Sequence, residues 1–234
     1  MPRYAAVVFD LDGTLVSEED GVQQATALVA QALRERGHPV PDARLEEART
    51  TVVREAMAAN RGNWPAWLSR EEWLRRAFAR VDAPAELAPE MAAIYLQGRI
   101  DGLALLDHAV ELVQAVAGRA RLGMITNGGS SEQRLKIRTV GLDRFFPEPL
   151  ISDEVGVQKP DPAIFEQALT TLEVLASDAV YIGNSFVNDV EGAAAVGMDT
   201  IWLDHHGRGP PPQAATTPTL TTASLRAVRE FLGA

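Results

Sequence analysis

Asp10 and Asp12 stand two residues apart at the end of an apolar run, Tyr4–Phe9, and Gly13-Thr14-Leu15 follows them. The run holds β-branched and aromatic residues without polar alternation, so it reads as a fully buried strand. Residues i and i+2 of a strand project to the same side, which aims both acids at one point. Gly13 lets the chain turn sharply just beyond them. Two acids side by side at the end of a buried strand are costly unless a cation or a reaction uses them. The alternative is an ordinary Asp-rich turn. What separates the two readings is whether other segments bring partner groups to the same place.

Residues 18–97 read as helix throughout. Four apolar stripes follow one another: Val22 to Leu33, Leu45 to Met57, Leu74 to Val81, and Leu87 to Tyr95. Ser69 with Glu72 forms a capping box ahead of the third. Such a run makes a small helical bundle, and Gly98 and Gly102 read as its return hinge. Beyond it, helix and strand alternate, the signature of a parallel α/β sheet. Strands are predicted at 120–125, 150–151, 179–182 and 200–203. Helices are predicted at 107–117, 130–141 (opened by a Ser130/Gln133 capping box), 162–172, 189–197 and 224–232. Asp161-Pro162 gives the third of these an N-cap and a proline at its first position. Residues 205–218 read as a surface loop. The expected organisation is a core of residues 1–16 and 99–234 with a helical insert at 17–98. Right-handed crossovers place the carboxyl ends of parallel strands at one edge, where ligands bind in open sheets. That edge collects Asp10, Asp12, Thr126, Asn127, Lys159 and the stretch Asn184–Asp189.

With 22 Lys and Arg against 32 Asp and Glu, the formal charge is −10. That argues against nucleic acid or an anionic membrane as the main partner. The absence of cysteine excludes disulfides and thiolate chemistry. No apolar stretch reads as a signal or a membrane span, so a cytoplasmic protein, monomer or homodimer, is expected.

The pattern resembles the haloacid dehalogenase superfamily of aspartate-nucleophile phosphotransferases, in the subclass with a helical cap after the first strand. Asp10-Leu11-Asp12-Gly13-Thr14-Leu15 is similar to that family's first motif and Thr126-Asn127-Gly128 to its second. Lys159-Pro160 matches the third, and Gly183-Asn184-Ser185 with Asn188-Asp189 the fourth. The resemblance implies a doubly wound, Rossmann-like parallel sheet ordered 5-4-1-2-3 and a mobile cap. It also implies a Mg²⁺-dependent phosphatase acting on a small phosphorylated metabolite, a nucleotide or sugar phosphate. Asp10 would attack phosphorus to give an aspartyl-phosphate. Asp12 would protonate the leaving oxygen and then deprotonate water. Thr126 and the neighbouring backbone N–H groups, at Asn127 and Gly128, would hold phosphate oxygens, and Lys159 would balance charge. Asp10, the Asp12 carbonyl, Asn184 and Asp189 would ligate Mg²⁺, although Asp189 serves equally as a brace for the helix start.

Asn184 departs from the family, which usually has aspartate there. The formal charge of Asp10, Asp12, Asp189 and Lys159 is −2, against −3 with an aspartate at 184, so weaker metal binding is expected. The family's dehalogenases lack an acid at the position of Asp12, which favours phosphoryl over carbon–halogen chemistry. Phosphomutase and phosphonatase activities share the motifs, and a phosphometabolite-binding protein without turnover is the rival from another class. His205-His206 reads as a solvated pair. Trp64, Trp67 and Trp73 read as bundle core, and Arg54 and Arg61 as surface arginines.

Overall fold

The computed structural model describes residues 4–17, 19–60, 65 and 68–234, with side chains for all of these except Glu19 and Asp20. The chain divides into two compact units, Met1–Glu18 with Ala104–Ala234, and Glu19–Leu103.

The first unit is built on β1 (Ala6–Phe9), every residue of which is buried. It lies between β2 (Arg121–Thr126) and β4 (Ala179–Gly183), parallel to both. Outward from these lie β3 (Leu150–Ile151) beside β2, and β5 (Asp199–Leu203) then β6 (Leu220–Thr222) beyond β4. The sheet order is β3-β2-β1-β4-β5-β6, all parallel. The predicted five-strand order is present, and β6 extends it by a strand. Leu220-Thr221-Thr222 carries no apolar run because it is an edge strand whose residues are all partly or fully exposed, so only its pairing with β5 reveals it.

Helices cover both faces. On one, Ala6, Val8 and Tyr181 pack against Ile164, Phe165 and Ala168 of α8 (Pro162–Leu172). Burying a side chain such as Phe165 contributes roughly 1.5–3 kcal/mol. The alternate residues Val7 and Phe9 face the other side, where Phe9 meets Phe146 edge to face at 5.9 Å. Asp161 caps α8 by accepting from the Ala163 amide at 3.0 Å, as its Asp-Pro sequence predicts.

The second unit is helical: α1 (Glu19–Glu35), α2 (Asp42–Ala59), α3 (Arg70–Val81) and α4 (Ala88–Asp101). The stripes supply one core, including Val29, Leu33, Leu45, Val52, Leu74, Phe78 and Met91. Trp73 belongs to it, edge-on to Tyr95 at 4.8 Å. Ser69 caps α3 by accepting from the Glu72 amide. Arg54 is exposed, while Arg61, Trp64 and Trp67 lie outside the described residues. The expected hinge at Gly98 is instead the interior of α4. A Cβ there would stand 2.7 Å from the Ala25 Cα, so this glycine exists to let α1 and α4 approach closely.

In the remaining chain of the first unit lie α5 (Ala109–Ala117), α6 (Ser130–Thr139), α7 (Ser152–Val155), α9 (Gly192–Ala195) and α10 (Leu225–Leu232).

Candidate active site

The site sits at the carboxyl ends of β1, β2 and β4. The Asp10 amide still bonds to the Ile182 carbonyl, so the hydrogen bonding between β1 and β4 continues one residue past the strand. Beyond it the chain closes a tight turn. The amides of Thr14, Leu15 and Val16 all reach the Leu11 carbonyl, and Gly13 bonds to the Val16 carbonyl. Gly13 adopts φ +77°, and a Cβ there would lie 2.1 Å from Asn184 Nδ2. Glycine is thus required twice, for the backbone conformation and for Asn184 to lie against the turn.

Asp10 is 6% exposed. One of its oxygens accepts from Lys159 Nζ at 2.7 Å and the other from Thr14 Oγ1 at 3.0 Å. Lys159 also bonds Asp189 at 2.6 Å and the Tyr181 hydroxyl at 2.9 Å, and that hydroxyl donates onward to the Ile125 carbonyl. The second oxygen of Asp189 accepts from the Ser185 amide. A Cβ on Gly183 would lie 2.4 Å from the Asp189 carboxyl carbon, so Gly183 makes room for it.

Two carboxylates therefore share one buried ammonium. Burial pushes the Asp10 carboxyl up to about 7; Lys159 pulls it down, and Asp189 adds to the rise. Burial opposes the charge on Lys159, but Asp10 and Asp189 outweigh it and hold the ammonium well above its ordinary value. Tyr181 is raised by burial, so it stays a hydroxyl.

The remaining predicted residues take more specific places than their types suggest. Asn127 clamps the Lys159 backbone: its Nδ2 donates to the Lys159 carbonyl at 3.0 Å and its Oδ1 accepts from the Lys159 amide at 2.9 Å. Its side chain thus positions the lysine. The Gly128 amide is taken by Ser152 Oγ and the Ser130 amide by Asp153. The Ser130/Gln133 capping box does not form, because α6 has Gly129 at its N-cap and Gln133 turns into the site. Thr126 ends β2 buried. Each oxygen of Asp189 accepts one hydrogen bond, from Lys159 and from the Ser185 amide.

Sequence reasoning passed over two site residues. Gln133 Nε2 donates to Asp12 Oδ2 at 2.8 Å and to Thr126 Oγ1 at 2.5 Å. Lys136 Nζ lies 2.8 and 2.9 Å from the two oxygens of Asp12. Lys136 offsets the charge of Asp12, so the formal charge of the cluster is −1 rather than −2. The only signal was their i, i+3 spacing on the helix that follows Thr126. His205, expected to be solvated, is exposed, and its Nε2 meets the Gly13 carbonyl at 2.8 Å.

Among the described residues no group of three His, Cys, Asp or Glu is disposed to hold a metal ion. The donors present still fit a hard cation. They are all oxygens, they carry a surplus buried negative charge, and Asn188 Oδ1 is buried with no hydrogen-bond partner among the described residues. Asn184 is held beside Gly13 through its own carbonyl, which accepts from Trp202 Nε1 at 3.0 Å. Trp202 is itself fixed edge-on against Phe186.

Residues 4–197 match the model of a hydrolase family, the haloacid dehalogenase-like hydrolases. A pyrimidine 5'-nucleotidase of Escherichia coli, YjjG, is 37% identical over 128 residues, which is 54% of this chain and 56% of that protein. A phosphoserine phosphatase of Thermus thermophilus is 33% identical over 74% of this chain and 67% of its own length. Among solved structures, a 2-haloacid dehalogenase from Pseudomonas syringae superposes with a TM-score of 0.70 at 28% identity, covering 98% of both chains. Among the described residues no helix is long and apolar enough to cross a membrane.

Proposed function

Since the chain belongs to the haloacid dehalogenase-like hydrolases, we propose that it is a phosphatase of small phosphate monoesters that works through Asp10. The observation that carries this reading is the buried Asp10 aimed by Lys159 and Thr14, with a second carboxylate two residues on. Asp10 attacks phosphorus, and the bond to the leaving oxygen breaks as that oxygen takes a proton from Asp12. Asp12 then removes a proton from water, whose oxygen displaces phosphate from Asp10. The Thr126 hydroxyl donates to a phosphate oxygen, and Lys159 keeps its proton and balances charge throughout. Asp10, the Asp12 carbonyl and the Asn184 amide are the groups that would hold Mg²⁺, which when bound lets a carboxylate approach a phosphate dianion. Asp12 also separates this reading from carbon–halogen hydrolysis, which has no leaving oxygen to protonate.

The relatives act on a nucleotide and on phosphoserine by their names, so the proposed substrate is a small phosphorylated metabolite. The test is phosphate release from p-nitrophenyl phosphate, pyrimidine nucleoside monophosphates, phosphoserine and sugar phosphates, with Mg²⁺ and with chelator. Turnover that needs Mg²⁺ and vanishes in Asp10→Asn supports the proposal. Full activity in Asp10→Asn ends it. A wild type that binds phosphate but releases none from any ester belongs to the binding-protein reading.

A further inference from the structure

Gln133 and Lys136 lie one turn apart on α6 and converge on Asp12 with three N–H contacts. Both are nearly inaccessible, at 1% and 4% exposure. A buried ion pair is a weak stabiliser, because desolvation of both charges offsets most of the attraction. Apolar side chains at 133 and 136 would serve a merely structural helix at least as well. The carboxylate they hold is moreover the one placed beside the nucleophile. We infer that Gln133 and Lys136 are positioning residues: Lys136 fixes the direction of Asp12, and Gln133 ties Asp12 to the phosphate-binding hydroxyl of Thr126. This rests on the phosphatase reading above.

The hydrogen-bond chemistry makes the two roles distinct. In its ionised form, the one that pairing with Lys136 favours and that later takes the proton from water, Asp12 only accepts, so the atom of Gln133 facing it is the amide nitrogen. That nitrogen has two hydrogens, and its second near neighbour is Thr126 Oγ1. Thr126 thereby accepts from Gln133, and its own hydroxyl hydrogen is left to point elsewhere, toward a phosphate oxygen. Gln133 thus sets both the proton-transfer group and a phosphate donor. Lys136 touches Asp12 and its own helix neighbour Glu132. It does not bond to Thr126.

Leaving groups tell positioning from scaffolding. An alkyl alcohol must be protonated as it departs, whereas p-nitrophenolate leaves with little help. General acid catalysis contributes about 10²–10⁴-fold. The comparison is kcat/KM, which covers steps up to transfer onto Asp10, for p-nitrophenyl phosphate and for the best alkyl phosphate found. Lys136→Met should lower the alkyl value at least about tenfold more than the aryl value, because a misaimed Asp12 forfeits part of that contribution. It should leave inhibition by inorganic phosphate within about twofold of wild type. Gln133→Leu should show the same selective loss and also weaken inorganic phosphate about tenfold. Lys136→Gln, which keeps an N–H donor, should recover part of the alkyl activity, and it replaces Lys136→Met should that variant not fold.

Equal losses on both esters in folded variants overturn the inference. So does unchanged phosphate affinity in Gln133→Leu. A wild type inert toward every ester refutes the phosphatase reading instead, and the Gln133→Leu phosphate-binding arm, read by thermal shift, still decides the Gln133 role.

Discussion

Asp10→Asn should stabilise the metal-free protein at alkaline pH while abolishing its chemistry. The reasoning starts from the surplus of two buried carboxylates over one buried ammonium around Lys159. Burial, reinforced by Asp189, raises the Asp10 carboxyl from 3.8 to about 7 against the pull of Lys159. A group raised in the folded state contributes stability below its unfolded value and loses it as pH climbs through the folded one. The ionised carboxylate at pH 8 therefore costs up to roughly 4 kcal/mol relative to its protonated form. Asparagine keeps the hydrogen bonds, since its oxygen accepts from Lys159 and its amide donates to Thr14. The attraction of Lys159 for the charge is already inside that net cost; because an amide reproduces the protonated carboxyl only in part, the expected gain is on the order of 2 kcal/mol of it. For a chain of this size that is about 4–8 °C in melting temperature. The assay is thermal melting of both proteins in chelator at pH 8 and at pH 5. Asp10→Asn should melt higher at pH 8, and the gap should close by pH 5 as wild-type Asp10 takes up a proton. Excess Mg²⁺ at pH 8 should raise wild type more than the variant. A variant that melts below wild type at pH 8, or a gap independent of pH, would show that pairing with Lys159 outweighs burial at Asp10.

Asn184→Asp adds a full charge beside Gly13 and should tighten Mg²⁺ about tenfold, or ~1.4 kcal/mol; titration calorimetry and the Mg²⁺ dependence of rate both read it, and an unmoved curve removes position 184 from the metal site. Gly183→Ala puts a methyl 2.4 Å from the Asp189 carboxyl carbon. It should destabilise by about 1–3 kcal/mol and lower kcat by displacing Asp189 from Lys159, both visible in melting and steady-state rates. Tyr181→Phe removes the donor to the buried Ile125 carbonyl and should cost about 1–3 kcal/mol in denaturant unfolding; a loss near zero would mean that carbonyl finds another partner.

The sheet and the helical unit were legible because their signals are local. The short apolar run before Asp10, with its β-branched residues and the turn at Gly13, reads as a strand covered on both faces, and the stripes of α1–α4 repeat at helical spacing. β6 was not legible, since a three-residue edge strand has no buried face to demand apolar residues. Gly98 misled for the opposite reason. Glycine marks both flexible joints and close backbone crossings, and only the neighbour at Ala25 tells the two apart.

At the site, residues whose chemistry is unusual for their place were found: acids at a strand end, a lysine between strands. Residues whose type is ordinary for their place were not. Gln133 and Lys136 look like the polar face of any surface helix, and Tyr181 like any aromatic in a buried strand. Asn127 adds what its motif does not announce, a side chain that holds the Lys159 backbone by two hydrogen bonds. Which way a polar side chain points depends on partners distant in sequence, 121 residues for the Gln133–Asp12 bond and 149 for Lys159–Asp10. The acids and the lysine gathered at this site can thus be named from short motifs, whereas the groups that contact them are set by packing between elements. Variants at 133 and 136 therefore probe what the motifs leave open, namely how Asp12 is aimed once Asp10 is in place.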